Sequence, residues 1–238
     1  MGGIQDVFPY TVFTIFGIPI QDVVVHTWII MAVLVGLAFV AGRNLQKRPS
    51  RWQAALEMGY EYIANLINQR VGRHVDGLFE LLTTLMLFVL VANLLGLIPV
   101  LRAPTRSLNT TAALAIVSFL AVQYFGVQER GAVRYARSFV EPLGCMLPLN
   151  ILGQVSRTVA MALRLFGNVV AGEIVGEVMF RLLPLLAPIP FNLLGSITGV
   201  LQALVFTFLT VVFIADAVGK EEEEEEIEIL ESEEEPMR

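Results

Sequence analysis

The stretch NILGQVSRTVAMALRLFGNVVAGEIVGEVMFR, residues 150–181, decides the fold of this chain. Its apolar content fits a membrane helix. It nevertheless contains five charged side chains, Arg157, Arg164, Glu173, Glu177 and Arg181. A charged side chain at bilayer depth costs from about 3 to over 10 kcal/mol, depending on its access to water. Five of them in one segment therefore need partners, an aqueous cavity or a function in transport.

Helical spacing separates these polar residues into two groups, because successive residues are rotated by about 100°. One narrow face holds Asn150, Arg157, Arg164, Asn168 and, at its edge, Gln154. Glu173 and Glu177 lie roughly opposite. The two groups also differ in depth, since Arg164 and Glu173 are separated by about 13 Å along the helix axis. One polar column thus leads in from one side and a second leads out toward the other.

Composition places the chain among integral membrane proteins, with 55% hydrophobic residues and a mean hydropathy of +0.69. Three uncharged runs are long enough to cross a hydrocarbon core of about 30 Å, namely Val23 to Ala41, Leu81 to Leu101 and Thr110 to Val127. A fourth run begins with three prolines, so we expect its helix to begin near Phe191. With the central stretch, the sequence predicts an all-α polytopic membrane protein with five membrane-embedded helices.

Basic residues predict the orientation, because Lys and Arg are retained on the cytoplasmic side. The first 22 residues contain none, and they lack the features of a removable signal peptide. Six basic residues lie between Arg43 and Arg73, and three lie between Arg130 and Arg137. The opposite loops hold only Arg102, Arg106 and Arg181. The N-terminus is therefore predicted outside and the C-terminus in the cytoplasm.

These boundaries divide the chain into an external segment (1–22), a membrane ion-channel domain (23–218) and an acidic cytoplasmic tail (219–238). The tail contains 11 glutamates and accounts for the whole acidic excess behind the net charge of −6. Such a block of like charge is typical of a solvated segment. We expect the tail either simply to keep the chain soluble or to dock on a basic partner.

An amphipathic helical pattern extends over about residues 50–72, which include RWQAALEMGYEYIANLINQRVG. The apolar positions recur every three or four residues, at Trp52, Ala55, Leu56, Gly59, Ile63, Leu66 and Ile67. We expect either a helix lying flat on the cytoplasmic membrane surface or one covering the bundle as in a soluble protein.

The second span and the loop after it contain several polar or small residues with expected structural roles. Asn93 should bond to a neighbouring helix, and Gly96 should allow a close helix contact. Ser107 or Asn109 should cap the third span. No histidine pair or cysteine cluster has metal-ligand spacing, so no metal or cofactor site is predicted.

Arg164 is the residue whose charge most needs an explanation. Its guanidinium cannot lose a proton at any relevant pH, so it repels a lone cation and attracts a carboxylate. A buried salt bridge or a side chain reaching toward water would be the structural alternatives. Polar positions of the next helix, above all Gln202, could present an amide oxygen to Arg164 if the two helices pair antiparallel.

The residues of LRLFGNVVAGE, Leu163 to Glu173, with LQALVFTFLT in the last helix, closely resemble subunit a of the F-type rotary ATP synthase. FVLVANLLGLIP and APTRSLNTT resemble the second-span and loop motifs of that subunit, in the same order. The resemblance covers nearly all of residues 23–218. The first 20 residues and the glutamate tail fall outside it.

The resemblance implies a membrane stator that faces a ring of c subunits, each with one ion-binding carboxylate, through two offset half-channels. Arg164 would separate the half-channels and draw the ring carboxylate into its deprotonated form. Asn168 and Glu173 match residues of the half-channel open to the outside, and Gln202 matches a glutamine packed near the arginine. Further implications are two long, antiparallel and strongly tilted final helices, peripheral-stalk b subunits as partners, and a bacterial inner membrane.

Four positions depart from the common pattern of the family. Many members have Glu near Asn150 and Gln154, Asp at Ser107, and an ionisable group around Gly195. All four are neutral here. The inner path is therefore expected to use amides, hydroxyls and water.

Charged residues of the central stretch complete the expected paths. Arg157 should line or support the inner vestibule, and Glu173, with Glu177, should serve the outer path. The coupling ion is expected to be a proton, with Na⁺ as the alternative, since ion choice resides mainly in the c-ring carboxylate. The subunit would bind no nucleotide and no nucleic acid, and would be no enzyme by itself.

Two other classes of protein fit less well. A stand-alone secondary transporter could use Arg164 to bind an anion, but such transporters usually have internal repeats, and the sequence contains none that we find. A purely structural scaffold leaves the charges of the central stretch unexplained.

Overall fold

The computed structural model describes residues 11–15, 18–43, 51–72, 74–96, 103–139, 147–182 and 188–219. In chain order the helices are α1 (Asp22–Arg43), α2 (Arg51–Arg70), α3 (Leu78–Leu95), a 3₁₀ turn (Pro104–Arg106), α4 (Leu108–Arg130), α5 (Ala132–Ser138), α6 (Leu147–Leu182) and α7 (Pro188–Val218). Five of these helices, α1, α3, α4, α6 and α7, are long and apolar enough to cross a membrane. The predicted helical membrane architecture with five spans is confirmed.

A short antiparallel hairpin precedes α1. Its strands are β1 (Thr11–Ile15) and β2 (Ile18–Gln21), and α1 follows β2 directly. No strand is predicted there from the sequence, although TVFTI consists of β-branched and aromatic residues, which favour strands. The acidic tail from Lys220 and the basic residue Arg102 lie outside the described residues.

The last helix begins earlier than its prolines suggest. We expected a start near Phe191, whereas α7 begins at Pro188 and also contains Pro190. The N–H groups of a helix's first turn have no acceptor within the helix, so proline costs no hydrogen bond there. Pro188 and Pro190 therefore lie in the first turn of α7 instead of preceding it, and Pro184 lies outside the described residues.

The final two helices run antiparallel, as predicted. Arg157 of α6 contacts Asp216 of α7, and Asn168, further along α6, contacts Gln202, which lies earlier on α7. With 36 and 31 residues, α6 and α7 are about 54 and 46 Å long, well beyond a hydrocarbon core of about 30 Å. Helices of such length must tilt or project out of the bilayer.

The core lies between α3, α4, α6 and α7. In its middle, Val89, Leu165 and Phe206 from three of these helices are essentially fully buried against one another. Helix α1 flanks α3 and leaves large apolar side chains exposed, among them Val35 and Phe39. The uncharged run Val23 to Ala41 makes up most of α1, and its exposed apolar residues fit contact with lipid tails.

Helix α2 covers the bundle at the end where α4 and α7 terminate, which we call the Arg130 end. Its Ile63, Leu66 and Ile67 are buried against α3 and α7, whereas Asn65 and Asn68 are exposed. The predicted apolar face of α2 is thus confirmed for these residues. Its placement on a membrane surface stays a prediction.

The opposite end of the bundle, which we call the Arg106 end, is closed by polar contacts. Asn93 of α3 donates to the carbonyl of Gly199 in α7 and accepts from the Thr105 hydroxyl, at 3.0 and 2.9 Å. The predicted bond from Asn93 to a neighbouring helix is therefore confirmed. Gly96 allows a close approach, since a Cβ there would lie 2.6 Å from that of Ala103. The approaching group belongs to the loop rather than to a helix.

A buried ion pair joins this loop to the first helix. Arg106 donates from Nη2 to Oδ2 of Asp22 at 2.9 Å, and the two side chains are only 4% and 1% exposed. Asp22 is the first residue of α1, and Arg106 precedes α4 by two residues. The pair therefore fastens the start of α1 to the loop that enters α4.

Breaking this pair should destabilise the fold. Asp22→Asn keeps the shape of the side chain but leaves the Arg106 guanidinium buried without its counter-charge, which should cost about 3 to 5 kcal/mol. The measurement is thermal unfolding of the purified full-length chain in detergent. Asp76→Asn is the control, since Asp76 is paired with His74 but 90% exposed. Equal destabilisation by both substitutions would contradict the assignment.

Candidate functional site

Helix α6 brings the candidate site residues to three levels along the bundle. Asn150, Gln154 and Arg157 lie near the Arg130 end, Arg164 lies in the middle, and the glutamates lie toward the Arg106 end. This order along α6 follows from the sequence, and the role of the two polar columns stays a prediction. The three levels differ in what surrounds them.

At the Arg130 end the helices enclose a cavity of 340 Å³, which we call the Arg130-end cavity. It is bounded by the last turns of α4 and α7, by α5, and by the first half of α6. Its polar lining residues are Ser118, Arg130, Tyr135, Asn150, Gln154, Arg157, Thr158 and Asp216. The cavity reaches Met161, which is almost one helical turn short of Arg164.

Side-chain amides form a continuous hydrogen-bonded chain beside this cavity. Tyr135 donates from its hydroxyl to Oε1 of Gln123 at 2.9 Å, and Gln123 donates from Nε2 to Oε1 of Gln154 at 2.6 Å. Asn150 donates from Nδ2 to the carbonyl of Phe139 at 3.0 Å. Gln123 and Tyr135 were not predicted from the sequence, because their approach to α6 depends on how α4 and α5 pack. Gly126 permits that packing, since a Cβ there would lie 2.5 Å from the Tyr135 ring.

Burial fixes the protonation state of Tyr135. It raises the pKa of the hydroxyl above its ordinary value of 10.0, while the nearby Gln154 amide and Arg130 guanidinium oppose this shift more weakly. Tyr135 is therefore a neutral hydroxyl at physiological pH. It can donate to Gln123 while its oxygen still accepts a hydrogen bond.

Arg157 forms an ion pair that the sequence analysis missed. Its Nη1 donates to Oδ2 of Asp216 at 3.1 Å, and its guanidinium lies 5.3 Å from the centre of the Phe213 ring. Asp216 directly follows the uncharged run that ends at Ala215, so its place in the sequence indicates only the end of a membrane helix. The helical register of α7 relative to α6, which is not evident from one sequence, places it in the cavity. The predicted position of Arg157 at the vestibule agrees with this geometry.

Arg164 lies beyond the cavity and is exposed on the surface of the isolated chain. Its neighbours Met161, Ala162 and Leu165 are buried in the core and fix this turn of α6. Among the residues that the structure describes, no carboxylate lies within ion-pair distance of Arg164. The charge is thus held in a fixed place on the outer face of the bundle.

One turn further along α6, Asn168 contacts the glutamine of the last helix. Asn168 donates from Nδ2 to Oε1 of Gln202 at 2.5 Å, and Gln202 is 5% exposed. Arg164 was the expected partner of this amide oxygen, whereas the structure pairs it with Asn168. Asn168 lies about one turn beyond Arg164 on the same face of α6.

The two glutamates have different surroundings. Glu177 accepts from Nη2 of Arg181 at 2.7 Å, a pair within one helix that is partly exposed. Glu173 is half-buried and takes part in a polar interaction. The structure places Glu173 nearer than Glu177 to the Arg164 level, as their order in α6 requires.

Comparison with known proteins gives a consistent result. The family model for the ATP synthase A chain matches residues 24–215. ATP synthase subunit a 2 of Picosynechococcus sp. is 41% identical over 216 residues, which cover 90% of this chain and 92% of that protein. ATP synthase subunit a of Moorella thermoacetica is 39% identical over 210 residues, covering 88% and 96%. ATP synthase subunit a 2 of Bradyrhizobium sp. is 42% identical over 207 residues, covering 87% and 93%.

The contact between Asn168 and Gln202 should be measurable by a double-mutant cycle. Asn168→Leu leaves the buried Gln202 amide oxygen without its donor, which should cost about 1 to 3 kcal/mol. Replacing both residues by Leu should cost less than the sum of the two single changes. The measurement is the free energy of unfolding of the full-length chain in detergent, with Asn65→Leu on the exposed face of α2 as the control. Additive effects would show that the two side chains do not interact.

Proposed function

The chain belongs to the ATP synthase A chain family, and from this premise we propose that it is the ion-translocating stator subunit of a rotary ATP synthase. It is a membrane subunit without catalytic activity of its own. In this proposal, ions reach a ring of c subunits through two half-channels that open on opposite sides of the membrane. The c-ring carboxylates then carry the ions past the stator.

The proposal rests mainly on the position and the charge of Arg164. Its guanidinium is permanently charged, exposed, and without an ion-pair partner among the described residues. It lies between the 340 Å³ Arg130-end cavity on one side and Glu173 on the other, about 13 Å further along α6. A fixed positive charge there would block direct passage of a cation between the two paths. It would attract the carboxylate of each passing c subunit and favour its deprotonated form.

The exposed surface around Arg164 suits contact with a rotor. Leu163 of α6 and Leu201 and Val205 of α7 are exposed apolar residues near its level. Gly167 adds no side chain to this face, and the space beside it is open, since a Cβ there would meet nothing within 4 Å. An apolar surface with one charge in it would let another membrane helix slide past while its carboxylate pairs briefly with Arg164.

The inner half-channel is assigned to the Arg130-end cavity. Asn150, Gln154 and Arg157 line this cavity, and the amides of Gln123 and Gln154 are hydrogen-bonded to each other. Amides and hydroxyls both donate and accept hydrogen bonds, so they can order a chain of water molecules. The cavity thus supplies the polar lining that the sequence predicted for this path.

The outer half-channel is assigned to the opposite half of α6. Glu173 is its titratable group, Asn168 and Gln202 connect it to the level of Arg164, and Glu177 with Arg181 lies toward the Arg106 end. The half-buried position of Glu173 supports this role, since an ion-path carboxylate needs both water and shielding from lipid.

The distribution of basic residues supports a definite orientation in a bacterial inner membrane. The Arg130 end would face the cytoplasm, with the acidic tail (219–238), and the Arg106 end and residues 1–22 would lie outside. The membrane domain would comprise residues 23–218, with α2 at the cytoplasmic surface. The c ring, the peripheral-stalk b subunits and the rest of the synthase are the proposed partners.

We propose the proton as the coupling ion. A unit charge that crosses 100 mV releases about 2.3 kcal/mol, which stepwise rotation can collect. Na⁺ would use the same stator geometry, because the choice between the ions depends on the c-ring carboxylate site. Flux measured with and without Na⁺ distinguishes the two.

Arg164→Ala tests the central assignment. In the complete synthase reconstituted in liposomes, ATP-driven ion uptake should fall to background, because nothing would separate the half-channels or deprotonate the ring carboxylates. Arg134→Ala, an exposed arginine of α5, is the matched control and should pump normally. Retained pumping by an assembled Arg164→Ala complex would refute the proposal. Transport of a small anion by the isolated chain would instead favour a stand-alone transporter.

Glu173→Gln tests the outer half-channel. Loss of its titratable group should slow ATP synthesis driven by a proton gradient several-fold and change its dependence on the pH inside the liposomes, the outer side. The pH at the nucleotide-binding side should have an unaltered effect. Unchanged rates across the range of lumenal pH would remove Glu173 from the path.

A further inference from the structure

We propose that Asp216 of α7 is the proton-relay carboxylate of the inner half-channel. This inference rests on the proposed function and deepens it by assigning a residue to one step. During pumping, the carboxylate would accept a proton from cytoplasmic water in the Arg130-end cavity. It would pass this proton through cavity water toward a c-ring carboxylate beside Arg164, and so return to its charged form.

The lining of the Arg130-end cavity supports this assignment. Within the part of the chain that the structure describes, Asp216 is the one carboxylate among the residues that line it. Its side chain is 69% exposed, so it can exchange protons with solvent. The other polar groups of the wall are amides, hydroxyls and guanidinium groups, which do not accept and release protons near neutral pH. A relay along this cavity therefore has one suitable acid.

Charged and polar groups from α4, α5 and α6 lie near Asp216. Arg157 of α6 lies 3.1 Å away, and Arg130 of α4 and Tyr135 of α5 line the same cavity. Arg70 of α2 packs on the Phe208 ring, and Glu80 of α3 does not line the cavity. The groups that face the carboxylate are thus two cations and one neutral hydroxyl.

The position of Asp216 along the bundle suits delivery to the rotor. Arg157 contacts Asp216 directly and precedes Arg164 by seven residues, which is about 10 Å along α6. The cavity spans most of this distance, since its lining extends from Leu149 to Met161 on α6. Water in the cavity could therefore connect the carboxylate with the level of Arg164.

The exposure of the pair argues against a merely structural role. The side chains of Arg157 and Asp216 are 53% and 69% exposed, and ion pairs with this much solvent contribute little to stability. The same α6–α7 contact is already held by buried apolar residues such as Leu165 and Phe206. Loss of the pair should therefore leave the fold intact.

The first experiment measures ATP-driven proton uptake by the complete synthase in liposomes, with the nucleotide-binding part outside. Asp216→Asn should reduce the pumping rate several-fold and flatten its dependence on external pH, whereas Asp216→Glu should restore both. Asp76→Asn, an exposed carboxylate outside the cavity, should pump like the unmodified complex. Normal pumping with an unchanged pH profile in an assembled Asp216→Asn complex would overturn the proposal.

Arg157→Gln supplies a second, independent readout. Arg157 is the cation that contacts Asp216 directly, so its loss should move the external pH profile of pumping. A structural role would lower the amount of active complex without moving the profile, and that result would also overturn the proposal. Arg164→Ala in the same assay separates the two levels of inference. If it abolishes pumping while both variants behave normally, the relay fails and the proposed stator function stands.

Discussion

The arrangement of the bundle depends on one constraint, the cost of keeping a permanent charge in apolar surroundings. At the Arg106 end the chain meets this cost with its own residues, through the buried pair of Arg106 with Asp22. At the Arg130 end Arg157 pairs with Asp216 in contact with solvent. At the middle level the chain does not meet it, because no described carboxylate pairs with Arg164. The buried turn around Leu165 nevertheless holds that guanidinium at the surface. The guanidinium of Arg164 therefore has no ion-pair partner within the described part of the chain, and in the proposed function a carboxylate of the c ring would pair with it.

The two ends of the bundle are built differently, and this difference supports a directional path. The Arg106 end is closed by buried contacts of Asn93, Thr105 and the Asp22–Arg106 pair. The Arg130 end contains the 340 Å³ cavity with an amide chain from Tyr135 to Gln154. A stator needs both properties. Buried packing keeps α6 and α7 in register, and in the proposed function the cavity would admit ions from one side.

Local patterns in the sequence predicted the helices well, because the length of an apolar run and its 3.6-residue period depend on neighbouring residues alone. They also predicted the two polar faces of α6, the buried face of α2 and the bond made by Asn93. They did not predict the Arg130-end cavity, the Gln123–Gln154 contact or the role of Asp216. Those features depend on the register between helices, and Arg157 and Asp216 are 59 residues apart. The contact of Gln202 with Asn168 was not predicted for the same reason.

The Asp22–Arg106 pair has a consequence for biogenesis. The two residues are 84 positions apart, so the ribosome completes α1, α2 and α3 before it makes the partner of Asp22. During that interval the carboxylate can remain at the membrane surface, where water solvates it, while α1 is already inserted. Synthesis of the Pro104–Arg106 turn then allows the nascent chain to dock α1 and begin α4. This salt bridge can therefore form only after α3 has been made, and a polypeptide truncated before Arg106 would keep its first span packed on α3 without the ionic contact that fastens it.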